Sequence, residues 1–336
     1  MPVPPRAMSC RPRLPSRDAA PAVDLGALGS AEAAAAMLAG QAAALAAIEP
    51  ELPAIADAIV GIADRVTGGG RLVLIGAGNS GRMALIQSAE VGPTFGLEPG
   101  VVIGVLAGIG TTTDARNPIA TDDAMEDDAL AGASAITELA VGPLDAVVGI
   151  SASGRTPYTT AALEAAAERG ALTVAVACAR DGPLERSAIV VIHPAVGPEM
   201  VAGSTRLAAG SATKTILDIL TTGIMVRLGR VHGGRMIDMR AANAKLRERA
   251  VRIVVDLTGR TEADAQEALA SVDWAPRAAV LRLALGLAPG EARDQAAAHR
   301  FLADALASRP RRPTGAPDDP NRGGDADERE SSIGNP

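Results

Sequence analysis

Two glycine- and hydroxyl-rich turns carry the groups in this chain best suited to hold an anion. The first is Gly76-Ala77-Gly78-Asn79-Ser80-Gly81, and the second is Ser151-Ala152-Ser153-Gly154-Arg155-Thr156. Each follows a short apolar run and precedes a helical pattern, so each is expected at the C-terminal end of a strand, opening a helix. Backbone N–H groups converge at such a place, and the helix dipole favours negative charge there. Hydroxyl donors beside free N–H groups suit a phosphate monoester and need no metal. Either turn alone reads equally well as a helix cap; two in one sheet point to a common ligand crevice. The first string also matches the dinucleotide fingerprint G-x-G-x-x-G. That reading requires an acid just after the second strand to hold a ribose hydroxyl. Here the strand ends in Ala107-Gly108-Ile109-Gly110 and the first acid is Asp114, which disfavours it.

The carboxylates are less informative by themselves. Glu90 falls at the expected end of the helix opened by the first turn, where the dipole makes negative charge unwelcome. Glu126, within Met125-Glu126-Asp127-Asp128, reads as part of an exposed acidic helix face. His193, following a strand, reads as structural. None of His193, His232 and His299 is spaced for a metal site or a Ser–His–Asp triad. Cys10 and Cys178 form neither a metal spacing nor a disulfide framework, and Cys178 is expected to be a buried thiol. No metal and no cofactor is expected.

These groups must be positioned by the pattern around them. Helices are expected from Ser30 to about Ile48 and from about Glu51 to Val66, stopped by Gly68-Gly69-Gly70. Apolar runs at Arg71–Ile75, Val101–Leu106, Ala146–Ile150, Ala171–Ala177 and Ala188–Ile192 read as strands buried on both faces. The helices between them are expected to end at Glu90, to span Thr121–Leu139, and to span Pro157–Arg169. Long helices follow at Ser204–Leu228 and Asp238–Val255, then three short ones between Thr261 and Leu306. The fold class is α/β: a doubly wound, parallel, five-stranded sheet with a small C-terminal helical appendage. The expected organisation is a disordered leader at 1–24, the α/β domain at 25–256, the helical appendage at 257–307 and a disordered tail at 308–336.

Composition narrows the function. Hydrophobic residues make up 48% of the 336 residues and aromatics only 1%, so small aliphatic side chains must fill the core. A net charge of −7 argues against a nucleic-acid surface. It also means that an anionic ligand must be held by local groups rather than by a broad positive field. No uninterrupted apolar stretch reaches the length of a membrane span, and the leader has no apolar signal core. A cytoplasmic location without membrane contact is the expectation.

The pair GAGNSGR (76–82) and SASGRT (151–156) resembles the sugar isomerase (SIS) domain, a flavodoxin-like phosphosugar fold. More specifically, the run from Arg71 to Val254 resembles the N-acetylmuramic acid 6-phosphate etherases. The matching pieces are GAGNSGRMALIQSAE (76–90), PTFG (93–96), MEDD (125–128), VVGISASGRTPY (147–158), VGPEMVAGSTRLAAGSATK (196–214) and ANAKLRERAVRIV (242–254). The resemblance implies cleavage of the lactyl ether of a phosphosugar by elimination and hydration. It implies Glu90 as the principal acid/base and Glu126 as an assisting one. It also implies substrate contacts from Gly78, Asn79, Ser80, Ser151, Ser153, Gly154 and Thr156, with Ser204, Thr205 and Glu199 near the sugar or lactyl group. A homodimer with a shared crevice is implied too, and the Ala- and Gly-rich stretch Ala202–Ile224 is the one expected to pack against a twin. The chain departs from the family pattern at Val91-Gly92-Pro93-Thr94, usually Cys-Pro-Pro-Thr, and at Ala208, where a Lys is common. Two other functions remain open on the same fold: a non-catalytic phosphosugar-binding regulator, like the glucokinase regulatory proteins, and a phosphosugar isomerase.

Overall fold

The computed structural model describes residues 23–108 and 123–308. Residues 1–22, 309–336 and the segment 109–122, with Asp114 in it, lie outside the described residues. In chain order the elements are α1 (Ser30–Ala46), α2 (Leu52–Thr67), β1 (Leu72–Gly76), α3 (Gly78–Phe95), β2 (Val102–Leu106), α4 (Ala129–Glu138), β3 (Ala146–Ile150), α5 (Pro157–Glu168), β4 (Leu172–Val176), α6 (Pro183–Arg186), β5 (Val190–Ile192) and α7 (Ala208–Arg227). A two-residue hairpin of β6 (Val231–His232) and β7 (Arg235–Met236) follows. Then come α8 (Ala244–Thr258), α9 (Glu262–Ser271), α10 (Pro276–Leu285), α11 (Pro289–Ala298) and α12 (Leu302–Ala307).

The sheet has five parallel strands in the order β2-β1-β3-β4-β5. Alternation along each strand divides the core in two, as period-2 geometry requires. Leu72 and Leu74 of β1, with Val148 and Val174, face α2, α3 and α7 through Ile55, Ile62, Ala84, Ile216 and Leu220. Val73 and Ile75, with Val147 and Ala175, face α4 and α5 through Ile136, Ala162, Leu163 and Ala166. Both faces are therefore covered, which is why the strands read as unbroken apolar runs.

At the N-terminal edge of the sheet, Asp145 locks β1 to β3. Its carboxylate accepts from the Arg71 backbone N–H at 2.8 Å, from Arg71 Nη2 at 2.8 Å and from the Gly142 N–H at 3.0 Å. Burial works against its charge, but the bonds from Arg71 and Gly142 outweigh this and hold its pKa below the ordinary value.

Several expected boundaries move, each for a local reason. Helix α3 continues past Glu90 to Phe95, through Pro93, and stops at Gly96 in the left-handed region (φ 66°). The Thr94 hydroxyl bonds the Glu90 carbonyl at 2.6 Å on the way. The single helix expected over Thr121–Leu139 is a 3-10 turn at Asp123–Asp127 followed by α4. Asp128 separates them, its side chain accepting from the Ala131 N–H at 2.8 Å. Ser204, Thr205 and Arg206 precede α7 instead of beginning it. The small residues of α7, expected to face a twin, are largely buried, and this helix packs against α1, α2 and α3 of its own chain. Asp238 does not open a helix; α8 starts at Ala244 with Asn243 as its cap.

Four helices, not three, follow α8, and they share a second core with it that includes Ile237, Val254, Leu269, Leu281 and Leu302. Helix α8, which runs across the division expected at 256/257, packs into this second core. Buried Arg277 fastens the appendage to the main domain. It donates to both Asp238 oxygens at 2.7 and 2.6 Å, to the Gly229 carbonyl at 2.6 Å and to the Arg300 carbonyl at 2.9 Å.

By length and composition the stretch Ser30–Thr67 would qualify as a membrane span. The 3-10 turn at Glu49–Glu51 divides it into two helices, and α2 buries Ile55, Ala58, Ile62 and Ala63 in the core.

Candidate active site

Strand order alone selects one place for a ligand. The chain runs from β1 outward to β2, then returns to β3 on the other side of β1, so the topological switch point lies between β1 and β3. The two glycine turns follow these two strands. Gly76 and Ile150 are register partners, so both turns leave the sheet side by side and at the same level.

The first turn is shaped by its glycines. A Cβ on Gly81 would run into the Gly76 carbonyl and the Leu106 side chain, and Gly78 has φ 50°. A Cβ on Gly78 would also run into Glu126 Oε1. Glu126 is therefore brought from the 3-10 turn before α4 onto the first glycine turn, and it is half-buried there. Asn79 is exposed at the start of α3 and Ser80 is partly exposed beside it.

In the second turn three hydroxyls converge. Ser151 Oγ lies 2.9 Å from Thr156 Oγ1 and 3.2 Å from Ser153 Oγ. The Gly154 N–H donates to Ser151 Oγ at 3.1 Å, and Gly154 takes φ 66°. The Arg155 N–H donates to Ser153 Oγ at 3.2 Å. This is a compact donor cluster at a helix N-terminus, with Pro157 at the first helical position, where its missing N–H costs nothing.

Glu199, Ser204 and Thr205 lie at or before the start of α7. Glu199 is 1% exposed, and its two oxygens accept from the N–H groups of Ala208 and Ala209 at 2.9 and 3.0 Å. It therefore caps α7. Ser204 and Thr205 are partly exposed in the turn before α7. Buried Cys178, two residues beyond β4, lies 3.9 Å from the Ala209 carbonyl, so this loop enters at the same edge of the sheet as the glycine turns.

Glu90 stands apart from both turns within one chain. It lies on α3 twelve residues beyond Gly78, or about 18 Å along the axis at the helical rise. Its side chain is 56% exposed and its carboxylate meets Lys214 Nζ at 3.2 Å. Lys214 was not among the residues singled out from sequence. The signal was there in the i, i+4 spacing of Lys214 and Asp218 and the i, i+3 spacing of Gln87 and Glu90, but only tertiary packing sets those two faces against each other.

His193, just after β5, is 5% exposed, and its ring nitrogens have no hydrogen-bond partner among the described residues. Burial, helped by the Arg180 charge, pushes its pKa down to about 4. Among the described residues no group of three His, Cys, Asp or Glu is arranged to hold a metal.

The SIS domain family matches residues 32–178. An N-acetylmuramic acid 6-phosphate etherase from Rubrobacter xylanophilus is 45% identical over 279 residues, which cover 82% of this chain and 90% of that one. The chain belongs to the N-acetylmuramic acid 6-phosphate etherase family. The etherase of Symbiobacterium thermophilum is 47% identical over 241 residues, 72% of this chain and 78% of its own. Among solved structures, a phosphoheptose isomerase from Neisseria gonorrhoeae aligns with a TM-score of 0.40 at 19% identity, covering 58% of this chain and 97% of that one.

Proposed function

We propose that the protein cleaves N-acetylmuramic acid 6-phosphate to N-acetylglucosamine 6-phosphate and D-lactate. The observation that carries this reading is the meeting of Glu126 with the first glycine turn, beside the Ser151–Ser153–Thr156 hydroxyl cluster, in a chain of this family.

The phosphate is assigned to the hydroxyls and N–H groups of the second turn, with Ser80 and Asn79 completing the cradle from the first. In the ring-opened sugar the C2 proton lies next to an aldehyde and is acidic. A carboxylate removes it, and the electron pair forms the C2–C3 double bond as the lactyl C3–O bond breaks. The departing oxygen receives a proton from an acid, releasing lactate. Water then adds at C3 and a proton returns to C2. Glu90 and Glu126 share these proton transfers, with Ser204 and Thr205 toward the sugar or lactyl group.

Because Glu90 cannot reach the glycine turns of its own chain, the proposal includes a homodimer in which Glu90 enters the partner's crevice. Support comes from the surface around it. Ile86, one turn earlier on the same face of α3, is 43% exposed, and Leu38 and Leu45 of α1 are 70% and 45% exposed, as apolar side chains at a subunit contact would be. A cytoplasmic location is proposed with it, where a phosphorylated sugar is retained.

The test is incubation of purified protein with N-acetylmuramic acid 6-phosphate. D-lactate release that falls by at least about a hundredfold in both Glu90→Gln and Glu126→Gln is the expected result. Tight binding without turnover would replace the enzyme by a regulator, and isomerisation with the ether intact would replace it by an isomerase.

A further inference from the structure

We infer that Lys214 is a positioning residue for Glu90, holding its carboxylate in the reacting geometry through a polar relay anchored in the core. The inference rests on the reading of Glu90 as an acid/base and extends it to the residues that aim it.

The relay begins in the buried contact between α3 and α7. Thr221, 1% exposed, donates to the Leu217 carbonyl at 2.9 Å and accepts from Gln87 Nε2 at 2.7 Å. Gln87 is 3% exposed. With its amide nitrogen committed to Thr221, its amide oxygen is turned outward and accepts from Lys214 Nζ at 3.0 Å. Flipping this amide would turn its NH2 toward an ammonium, lose the bond to Lys214 and draw the Thr221 hydroxyl away from the Leu217 carbonyl, which favours the orientation seen.

Lys214 Nζ has three N–H donors, and three acceptors surround it: Gln87 Oε1, Asp218 Oδ1 at 2.6 Å and Glu90 Oε2 at 3.2 Å. An ammonium with every donor engaged has no spare rotamer to sample. Burial opposes its charge, but Asp218 and Glu90 more than compensate, so its pKa is raised and it stays protonated at neutral pH.

An exposed ion pair by itself contributes little and fixes little. This one differs because one of the lysine's partners is a buried neutral amide that cannot move. Without the lysine, the half-exposed Glu90 side chain would sample several rotamers, only one of them aimed along the α3 surface toward α7. Lys214 thus acts on the reaction through Glu90 and has no role in binding the phosphate.

Three variants are compared with the wild type in the D-lactate assay: Lys214→Met, Lys214→Arg and Glu90→Gln. Lys214→Met is expected to lower kcat about ten- to a hundredfold with KM changed less than about twofold, the mark of a misplaced reacting group. Lys214→Arg, which keeps the charge and donors, is expected to recover most of that loss at an unchanged melting temperature. Loss of activity in Glu90→Gln with Lys214→Met within about twofold of wild-type kcat would overturn the inference while leaving Glu90 catalytic. Equal losses in both lysine variants, matched by equal falls in melting temperature, would also overturn it, in favour of a purely structural role. Full activity in Glu90→Gln would remove the catalytic reading and this inference with it.

Discussion

The Glu126 carboxylate occupies the space where a side chain on Gly78 would begin. This contact joins an acid from the turn before α4 to the first glycine turn, across a segment of the chain that sequence spacing alone does not close.

Gly78→Ala is therefore expected to act on chemistry more than on folding. The new methyl would push against Glu126, and φ 50° carries a strain of about 1 kcal/mol for a residue with a Cβ. A fall in kcat of about tenfold or more, with a melting temperature only slightly lowered, is the predicted outcome in a D-lactate assay and a thermal melt. Unchanged kcat would mean that Glu126 does no chemistry at this turn.

The hydroxyl cluster should report on binding. Ser151→Ala and Thr156→Val each remove a donor from a converging set without leaving a buried charge. Each is predicted to raise KM for the phosphosugar by about ten- to a hundred-and-fiftyfold, following the roughly 1.5–3 kcal/mol expected for one hydrogen bond to a charged group. Steady-state kinetics that show kcat lost at constant KM would move the phosphate elsewhere.

Subunit mixing tests whether Glu90 acts across an interface. Glu90→Gln and Glu126→Gln proteins are each expected to be inactive, but mixed, unfolded and refolded together they should regain about a quarter of wild-type activity, because half the dimers would carry one intact site of two. If both acids served the same chain's site, every site in the mixture would lack one of them and no activity would return.

Stability should fall in mild acid because of His193. Its pKa near 4 in the folded chain lies below the ordinary 6.5, so between these values the unfolded state binds the extra proton. Stability is thus predicted to drop as pH falls from about 6.5 to 4, by up to roughly 3 kcal/mol from this residue. Urea titrations across that range should show the slope, and His193→Gln should flatten it. A His193→Gln curve parallel to wild type would assign the acid sensitivity to other groups.

Much of this protein was legible without coordinates. Apolar runs buried on both faces dictate a parallel sheet between helices, and Gly76–Gly81 and Ser151–Thr156 announce tight turns between strand and helix, because glycine tolerates such close backbone approaches. The quoted runs also carried enough identity to point to the family. Helix starts were harder to read: α7 begins at Ala208 because Glu199, nine residues earlier, reaches forward to cap it, and no local pattern around Ser204 signals that. Tertiary structure alone decided which acids stand where. Without the family resemblance Glu126 reads as a solvated acidic face, and only the folded chain lays it on Gly78. Glu90 is already expected at the far end of the helix opened by the first turn, about 18 Å along it, but only the packing of α7 sets Lys214 against it. Local sequence specifies backbone conformation over a few residues, whereas the meeting of side chains from distant segments depends on strand order and helix packing, which only the folded chain sets.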